Sequence, residues 1–333
     1  MSKKSYFGVN GVARNVKSWP VGIGNVARKA KSGYFGVGGV ARQFLSSGVD
    51  PVLNNNDWAT IRSVSDAGQG ANYWSVGDTK TITINGTVGT LSLSNLSVYV
   101  FILGFDHNSS VEGSNRIHFQ IGKISSKLIG LCDSKYNSYA TDGTKYFNMN
   151  HWGNYNYGGW AGCDLRYDVL GSTDVAPSGY GSAVTKSRVG YNASATCATN
   201  PVANTLMAAL PADLRAVMKG VTKYADAVGN NSNVLANVKA FTDYLFLLAE
   251  FEVQGTRSYA NQYEQNYQKQ YAYYSSGNSK VMYKHNNTTT AAYWWLRSAY
   301  CYSNSYFCGV GTGGNAHITN ARYADVLAPG FVV

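Results

Sequence analysis

The residues best equipped for chemistry are few and scattered. Gly104-Phe105-Asp106-His107-Asn108 sets an acid, an imidazole and an amide side by side. A metal would need further ligands brought from elsewhere in the chain, and no HExxH or CxxC spacing supplies them. His118, His151, His285 and His317 are isolated from one another, so this stretch reads as a structural loop. Glu250 and Glu252 form the closest carboxylate pair, and glycoside hydrolysis requires two carboxyls facing each other across a cleft. Spaced by two on an apolar run, they share one face of a strand, which suits the edge of a core better. Cys132, Cys163, Cys197, Cys301 and Cys308 are odd in number and lack zinc-site spacing. Cys301 and Cys308 could bridge a hairpin, although free thiols are expected in a reducing cytoplasm. No serine nucleophile elbow or phosphate loop is present. The expectation is therefore no catalytic residue, no metal and no cofactor.

The chemistry that remains is recognition. Between Trp294-Trp295-Leu296-Arg297-Ser298 and Leu327-Ala328-Pro329-Gly330-Phe331-Val332-Val333 lies Ala299 to Asp325, built mostly from Tyr, Ser, Asn, Gly, Ala and Thr. Tyrosine gives rigid contact area at low entropy cost, and Ser, Gly and Asn give adaptable hydrogen bonds. The expected ligand-binding residues are Tyr300, Tyr302, Asn304, Tyr306, Asn315, His317, Asn320 and Tyr323. Trp294, Trp295, Leu296, Leu327, Phe331 and Val332 are expected in the core, with Arg297 paired internally. From Leu296 to Val333 there is no Lys, Glu, Gln, Met or Trp, where the preceding chain's rate would place about five. Those five types are the ones that an AAC codon cannot reach by mutation at its two adenines. The vocabulary thus suits adenine-directed diversification, and also a plain Gly/Ser/Tyr-rich β-meander.

These residues must be positioned by a chain of 333 residues, 44% hydrophobic but only 14% charged, with 36 Gly and 26 Tyr. So low a charge content is unlike a typical cytosolic enzyme. The net charge of +10 sits almost wholly in the first 49 residues, which hold eight bases and no acid. That stretch also repeats: Phe7-Gly8-Val9-Asn10-Gly11-Val12-Ala13-Arg14 recurs at Val21 to Arg28 and at Phe35 to Arg42, with a period of 14. Each unit places Asn-Gly, Gly-Asn or Gly-Gly between short apolar arms, a two-residue hairpin signature. A lone hairpin cannot bury its own face, so the units should stack on each other, on sister chains or on a host surface. Arg14, Arg28 and Arg42 are the expected anchoring residues. The basic arm lacks a nucleic-acid recognition motif, which favours an acidic protein surface as its partner.

Ser46 to Asn56 reads as a turn-rich linker. Beyond it, Ala59–Ala67 reads as a short helix; Thr81–Ile84, Leu91–Leu93, Val98–Leu103 and Ile117–Ile121 read as strands, with turns at Asn85-Gly86 and Gly89. Residues 133–200 form a long polar region carrying Trp152, Tyr155, Tyr157 and Trp160. Leu206, Leu210, Leu214 and Met218 predict a helix over 206–224. Tyr244–Val253 reads as a buried strand or short helix. Tyr259, Tyr263, Tyr267 and Tyr271 would share one face of a further helix, as a packing stripe. No apolar h-region follows Met1-Ser2-Lys3-Lys4 and no apolar run reaches 18 residues; cytoplasmic synthesis without a signal peptide and no membrane insertion are expected.

Trp58-Ala59-Thr60-Ile61, Trp74-Ser75-Val76-Gly77-Asp78, the Gly104–Asn108 stretch, Leu248-Ala249-Glu250-Phe251-Glu252-Val253 and Trp-Trp-Leu-Arg-Ser together resemble a domain of unassigned function common in phages and prophages of gut Firmicutes. That family is similar to the C-type-lectin fold shared with formylglycine-generating enzymes, and the resemblance covers about residues 58–333. The Gly-Val-Ala-Arg repeats resemble those of structural proteins from the same phages. Such folds also serve as the variable proteins of diversity-generating retroelements. The Glu-Pro-Asn and Trp-Asn-Asp calcium signatures of C-type lectins are absent. The implied architecture is α+β: a basic hairpin arm over 1–46, a linker over 47–57 and a C-type-lectin-like domain over 58–333. The implied function is that of a virion structural protein of the tail, baseplate or fibre, binding a host-cell receptor (protein or glycan) through the C-terminal surface. The arm would contact other virion proteins and sister chains, most simply as a trimer; no nucleic-acid partner is expected. The alternatives are a capsid head fibre or decoration protein, a formylglycine-generating-like oxidase, and a wall-glycan hydrolase.

Overall fold

In a computed structural model, residues 6–9, 12–15, 20–23, 26–29, 32–37 and 40–46 are described as backbone, and residues 48–173 and 199–333 in full. The chain divides into two units, Met1–Asn56 and Asp57–Val333. In the first, β1 (Tyr6–Val9) pairs with β2 (Val12–Asn15), β3 (Pro20–Ile23) with β4 (Val26–Lys29), and β5 (Ser32–Val37) with β6 (Val40–Ser46), each an antiparallel two-stranded sheet. The repeat is preserved in the register: Phe7, Val21 and Phe35 lie opposite Arg14, Arg28 and Arg42. The side chains of those arginines lie outside the described residues.

The second unit is a mixed α+β fold, mostly sheet with a few short helices. It opens with the helix Trp58–Asp66, capped by Asp57, whose carboxylate accepts from the Thr60 amide at 2.7 Å. Trp58, Ile61 and Val64 form its buried face. The hairpin of β7 (Thr79–Val88) and β8 (Leu91–Phe105) follows. Along β7 the isoleucines Ile82 and Ile84 are buried and Thr81 and Thr83 exposed, the alternation of a half-covered strand. The turn falls after Val88. Asn85-Gly86 lies inside β7, where the register shifts, so an Asn-Gly pair that looks like a turn serves as a bulge.

The main sheet has eight strands. β8 pairs with β9 (Ile117–Ile124), which turns into β10 (Lys127–Gly130). The last strand of the chain, β19 (Gly330–Val332), lies beside β9 and is flanked by β13 (Leu245–Phe246). β14 (Met282–Lys284) runs parallel to β10 and pairs with β15 (Asn287–Ala292). The C-terminus is thus locked inside the fold: Phe331 stacks on Phe119 at 5.2 Å, and Trp58 meets both rings edge-on. A second pair is formed by β11 (Val221–Asp226) and β12 (Val238–Asp243), and a three-stranded sheet by β16 (Trp294–Ala299), β17 (Tyr306–Val310) and β18 (Ala316–Asn320).

Three local expectations are corrected. The run from Leu206 to Tyr224 is two single-turn helices, Leu206–Ala209 and Ala212–Arg215, followed by β11. Pro211 supplies no amide and forces Leu210 into an extended conformation, with ψ of 152°. Leu206, Leu210, Leu214 and Met218 are nonetheless all buried. The tyrosine ladder is not one helical face either. Only Gln262–Asn266, a 3₁₀ turn, and Ala272–Ser275 are helical there, and the four rings take separate surroundings: Tyr259 against Tyr300, Tyr267 stacked on Tyr224, Tyr271 fully buried and Tyr263 half-buried. Finally, Glu250 and Glu252 begin the helix Glu250–Gln254 instead of sharing a strand face. Among the described residues no helix is long and apolar enough to cross a membrane.

Candidate functional site

The site is framed by strand β16, every residue of which is buried. The Trp295 indole donates to the Phe147 carbonyl at 2.7 Å and the Trp294 indole to the Lys280 carbonyl at 3.1 Å. Arg297 is fully buried and grips both carboxylate oxygens of Glu252, at 2.6 and 2.8 Å. Such a fork is the geometry in which a buried guanidinium is tolerated.

From Tyr300 the chain comes out to solvent. Tyr300 is half-buried, Tyr302 is 54% exposed and Asn304 is exposed. This loop is held from below. The Asn156 side-chain amide donates to the carbonyls of Tyr300, Ser303 and Tyr306 at 3.1, 2.8 and 2.9 Å. Arg257 donates to the Tyr302 hydroxyl at 3.0 Å and the Cys301 sulfur at 3.1 Å. Cys132, Cys301 and Cys308 are free thiols, all buried as Cys163 is, and burial pushes the Cys132 thiol up to about 11; Cys197 lies outside the described residues.

An open depression of about 340 Å³ lies along β18, the last strand of its sheet. His317, Ile318, Thr319 and Asn320 line its side, with Tyr306 from β17 and Tyr323 from the following loop. Tyr293, Asn137 and Tyr139 close the rim. The rings are propped against neighbours. His317 stacks on Tyr293 at 4.7 Å, Tyr139 meets Tyr323 at 4.6 Å, and the Arg322 guanidinium covers Tyr139 at 3.6 Å. Burial lowers the His317 pKa, so its imidazole is neutral at pH 7.

Beside the depression, polar atoms go unpaired. Of the twelve buried side-chain N and O atoms without a hydrogen-bond partner among the described residues, five fall between Thr319 and Asp325. They are Thr319 Oγ1, Asn320 Oδ1, Arg322 Nε and both oxygens of Asp325. Burial pushes the Asp325 carboxyl up to about 7; the neighbouring Thr319 hydroxyl offsets this in part and Asp133 adds to it. The Thr319 hydroxyl and the Asp325 carboxyl are neighbours able to satisfy each other; a buried polar atom left without any partner costs about 1–3 kcal/mol.

None of the eight sequence-chosen residues is buried. Tyr306, His317, Asn320 and Tyr323 line one depression, and Tyr300 joins it edge-on to Tyr306 and Tyr302 at 6.2 and 5.8 Å. Asn304 stands apart, donating to the Tyr157 hydroxyl. Asn315 lies before β18, away from the end of the hairpin where Tyr306 faces Asn320. Sequence reasoning missed Asn137, Tyr139, Tyr293, Ile318 and Thr319. Tyr293 was legible in principle, as the residue entering a buried Trp-Trp pair; Asn137 and Tyr139 are brought in from a distant polar loop that no local pattern connects to this strand.

A second cluster lies deep inside. Lys223 Nζ reaches Glu112 at 2.7 Å, Glu252 at 3.1 Å and the Tyr271 hydroxyl at 2.7 Å. His107 stacks on Tyr271 at 3.7 Å. Ligand atoms of His107, Glu112 and Glu252 lie within 4.8 Å of one another, a metal-like grouping. Its charges argue otherwise: Lys223 already holds the position between the two carboxylates, and with Arg297 it matches their two negative charges. A divalent ion would add uncompensated charge to the interior. Burial raises Glu112 to about 7 against the pull of Lys223. For Glu252 burial would do the same, but Arg297 and Lys223 outweigh it and hold the carboxyl far below the usual range. Burial and the Lys223 charge push His107 down to about 3, leaving it neutral. Glu250 is likewise consumed, accepting from the Ser258, Tyr259 and Ala260 amides.

A family model described as a domain of unknown function (DUF6273) matches residues 137–333, more than half of the chain, and the chain belongs to that family. The matched span contains all nine residues lining the depression. No curated protein and no solved structure matches.

Proposed function

We propose that this chain is a structural protein of a phage particle, of its tail, baseplate or fibre, that binds a receptor on the host cell surface. The unit 57–333 carries the binding face, and the three basic hairpins fix it to the particle. A C-type-lectin-like scaffold suits this role, because its C-terminal segment leaves the core, displays a loop and returns. The observation that carries the reading is the behaviour of residues 299–325. Their flanks β16 and β19 are buried throughout, yet of the eight tyrosine, asparagine and histidine side chains between them none is buried, and four lie around one depression.

Recognition of this kind needs no bond-making. The buried acids Glu250 and Glu252 are held by internal donors. Aromatic contact supplies affinity per site, and several copies on one particle multiply it through avidity. Diversification of the displayed residues would change specificity without touching β16 or β19. The test is competition. Purified full-length protein in excess is expected to reduce adsorption of particles to host cells in a saturable way; adsorption unaffected at saturating protein would contradict the reading.

A further inference from the structure

Resting on that reading, we infer that the outer edge of β18 docks an extended, acidic peptide segment of the receptor, which joins the β16–β17–β18 sheet as a further strand. Three observations converge. First, the edge is unpaired. Among the described residues β18 bonds to β17 alone. The Gly311 amide donates to the Asn315 carbonyl and the Ala321 amide to that of Ser305, which sets the alternation of an antiparallel pair. His317 and Thr319 therefore turn their backbone groups toward β17, and Ala316, Ile318 and Asn320 turn theirs away. The Tyr300 amide, donating from β16 to the Tyr306 carbonyl, fixes the same phase. The outward carbonyls of Ala316 and Asn320 accept from the Asn315 side chain and the Tyr323 amide. Ile318, half-buried, has no partner for its outward N–H or C=O among the described residues. Such an edge is a template for another strand.

Second, the depression straddles that edge. His317, Ile318, Thr319 and Asn320 all line it, and successive strand residues face opposite sides of a sheet. Only a groove running along the edge meets all four. Each side offers a ring: Tyr293 stacked on His317 on one, and Tyr306, opposite Asn320 in register, on the other. An extended peptide in the groove sends its side chains alternately onto these two sides while its backbone meets Ile318. Third, charge selects the peptide. No acid lines the depression. Asp133 and Asp325 are buried, and the exposed Asp142 accepts from the Thr144 amide. At the rim the Arg322 guanidinium lies 3.6 Å from the Tyr139 ring, with its Nε unbonded among the described residues. An acidic side chain on the docked strand supplies the missing counter-charge.

The experiment offers the full-length chain short immobilised peptides of valine and threonine carrying aspartate, beside counterparts carrying lysine. Retention by the aspartate peptides is expected, at least about tenfold stronger than by the lysine ones. N-methylating every second peptide amide should abolish retention in one phase and spare it in the other, because only one set of amides faces β18. Ile318→Pro removes an outward N–H and no internal bond, so retention should fall with the thermal midpoint within a few degrees of the parent's. Arg322→Glu should reverse the preference from aspartate to lysine peptides, a gain that misfolding cannot imitate. No retention, equal retention in both methylation phases, or a charge preference unmoved by Arg322→Glu overturns the inference. So does a folded Ile318→Pro chain of lower mass in light scattering, which would put a sister chain at the edge. If soluble protein still competes with particles for host cells while no peptide is retained, the receptor-binding reading stands and only the strand inference falls; if competition fails too, both fall.

Discussion

Asp325 tests the electrostatics most sharply. Its carboxyl is fully buried and is pushed up from 3.8 to about 7, with the Thr319 hydroxyl offsetting only part of the burial. A carboxyl whose folded pKa is raised favours the folded state while protonated, and that contribution is lost as pH rises through about 7. At about 1.4 kcal/mol per pKa unit, the ionised carboxylate costs the fold on the order of a few kcal/mol. Asp325→Asn cannot ionise, so its thermal midpoint should exceed the parent's at pH 8, with the gap narrowing as pH falls below about 7 and closing only below the unfolded carboxyl's 3.8; parallel curves across that range would refute the burial argument. Glu252 behaves in the opposite sense. Glu252→Gln leaves Arg297 and Lys223 without their shared counter-charge, and breaking a buried pair in this way costs about 3–5 kcal/mol. Urea denaturation should show that loss, and a change below about 1 kcal/mol would mean that water reaches the network.

At the scale of elements, Gly122 in β9 marks a position where backbone alone decides. Its φ is +125°, and a Cβ there would collide with the Ile129 carbonyl oxygen across the β9–β10 turn. Gly122→Ala is therefore expected to cost at least about 1–3 kcal/mol, read as a lower midpoint in thermal unfolding with binding retained by the folded fraction. What the sequence disclosed about elements follows from how local each signal is. The hairpin arm, the helix from Trp58 and strand β16 were legible because the pattern that forms them is contained in them. Burial of Leu206, Leu210, Leu214 and Met218 was legible too, but the helix was not, because Pro211 interrupts it and β12 recruits the chain beyond as β11. The tyrosine ladder failed for a related reason: partners far along the chain pull successive rings in different directions. The site divides the same way. Tyr306, His317 and Asn320 on β17 and β18 could be chosen from composition, whereas Asn137 and Tyr139 enter only through bridges such as Tyr139 to Tyr323. The Glu112–Lys223–Glu252–Arg297 network, spread over 186 positions of sequence, had no local signature beyond the lone Arg297.

At the scale of the whole molecule, the two units are assigned separable tasks. Three two-stranded sheets are marginal alone, so the arm should gain its stability by assembling with sister arms and the particle. The full chain is expected to scatter light as a homo-oligomer, most simply a trimer, and a chain lacking residues 1–46 as a folded species of lower mass, absent from purified particles. A truncated chain that still joins particles at normal copy number would remove the arm from the account. The central claim, that the tyrosine, asparagine and histidine side chains of residues 299–325 are displayed for binding while residues among them such as Phe307, Cys308 and Val310 are core, is tested most directly by replacing Tyr300, Tyr302, Tyr306 and Tyr323 with alanine together and measuring thermal midpoint and host-cell adsorption on the same protein. The account predicts a midpoint within a few degrees of the parent's and adsorption lost. A midpoint that collapses, or adsorption that survives with the fold intact, would contradict it.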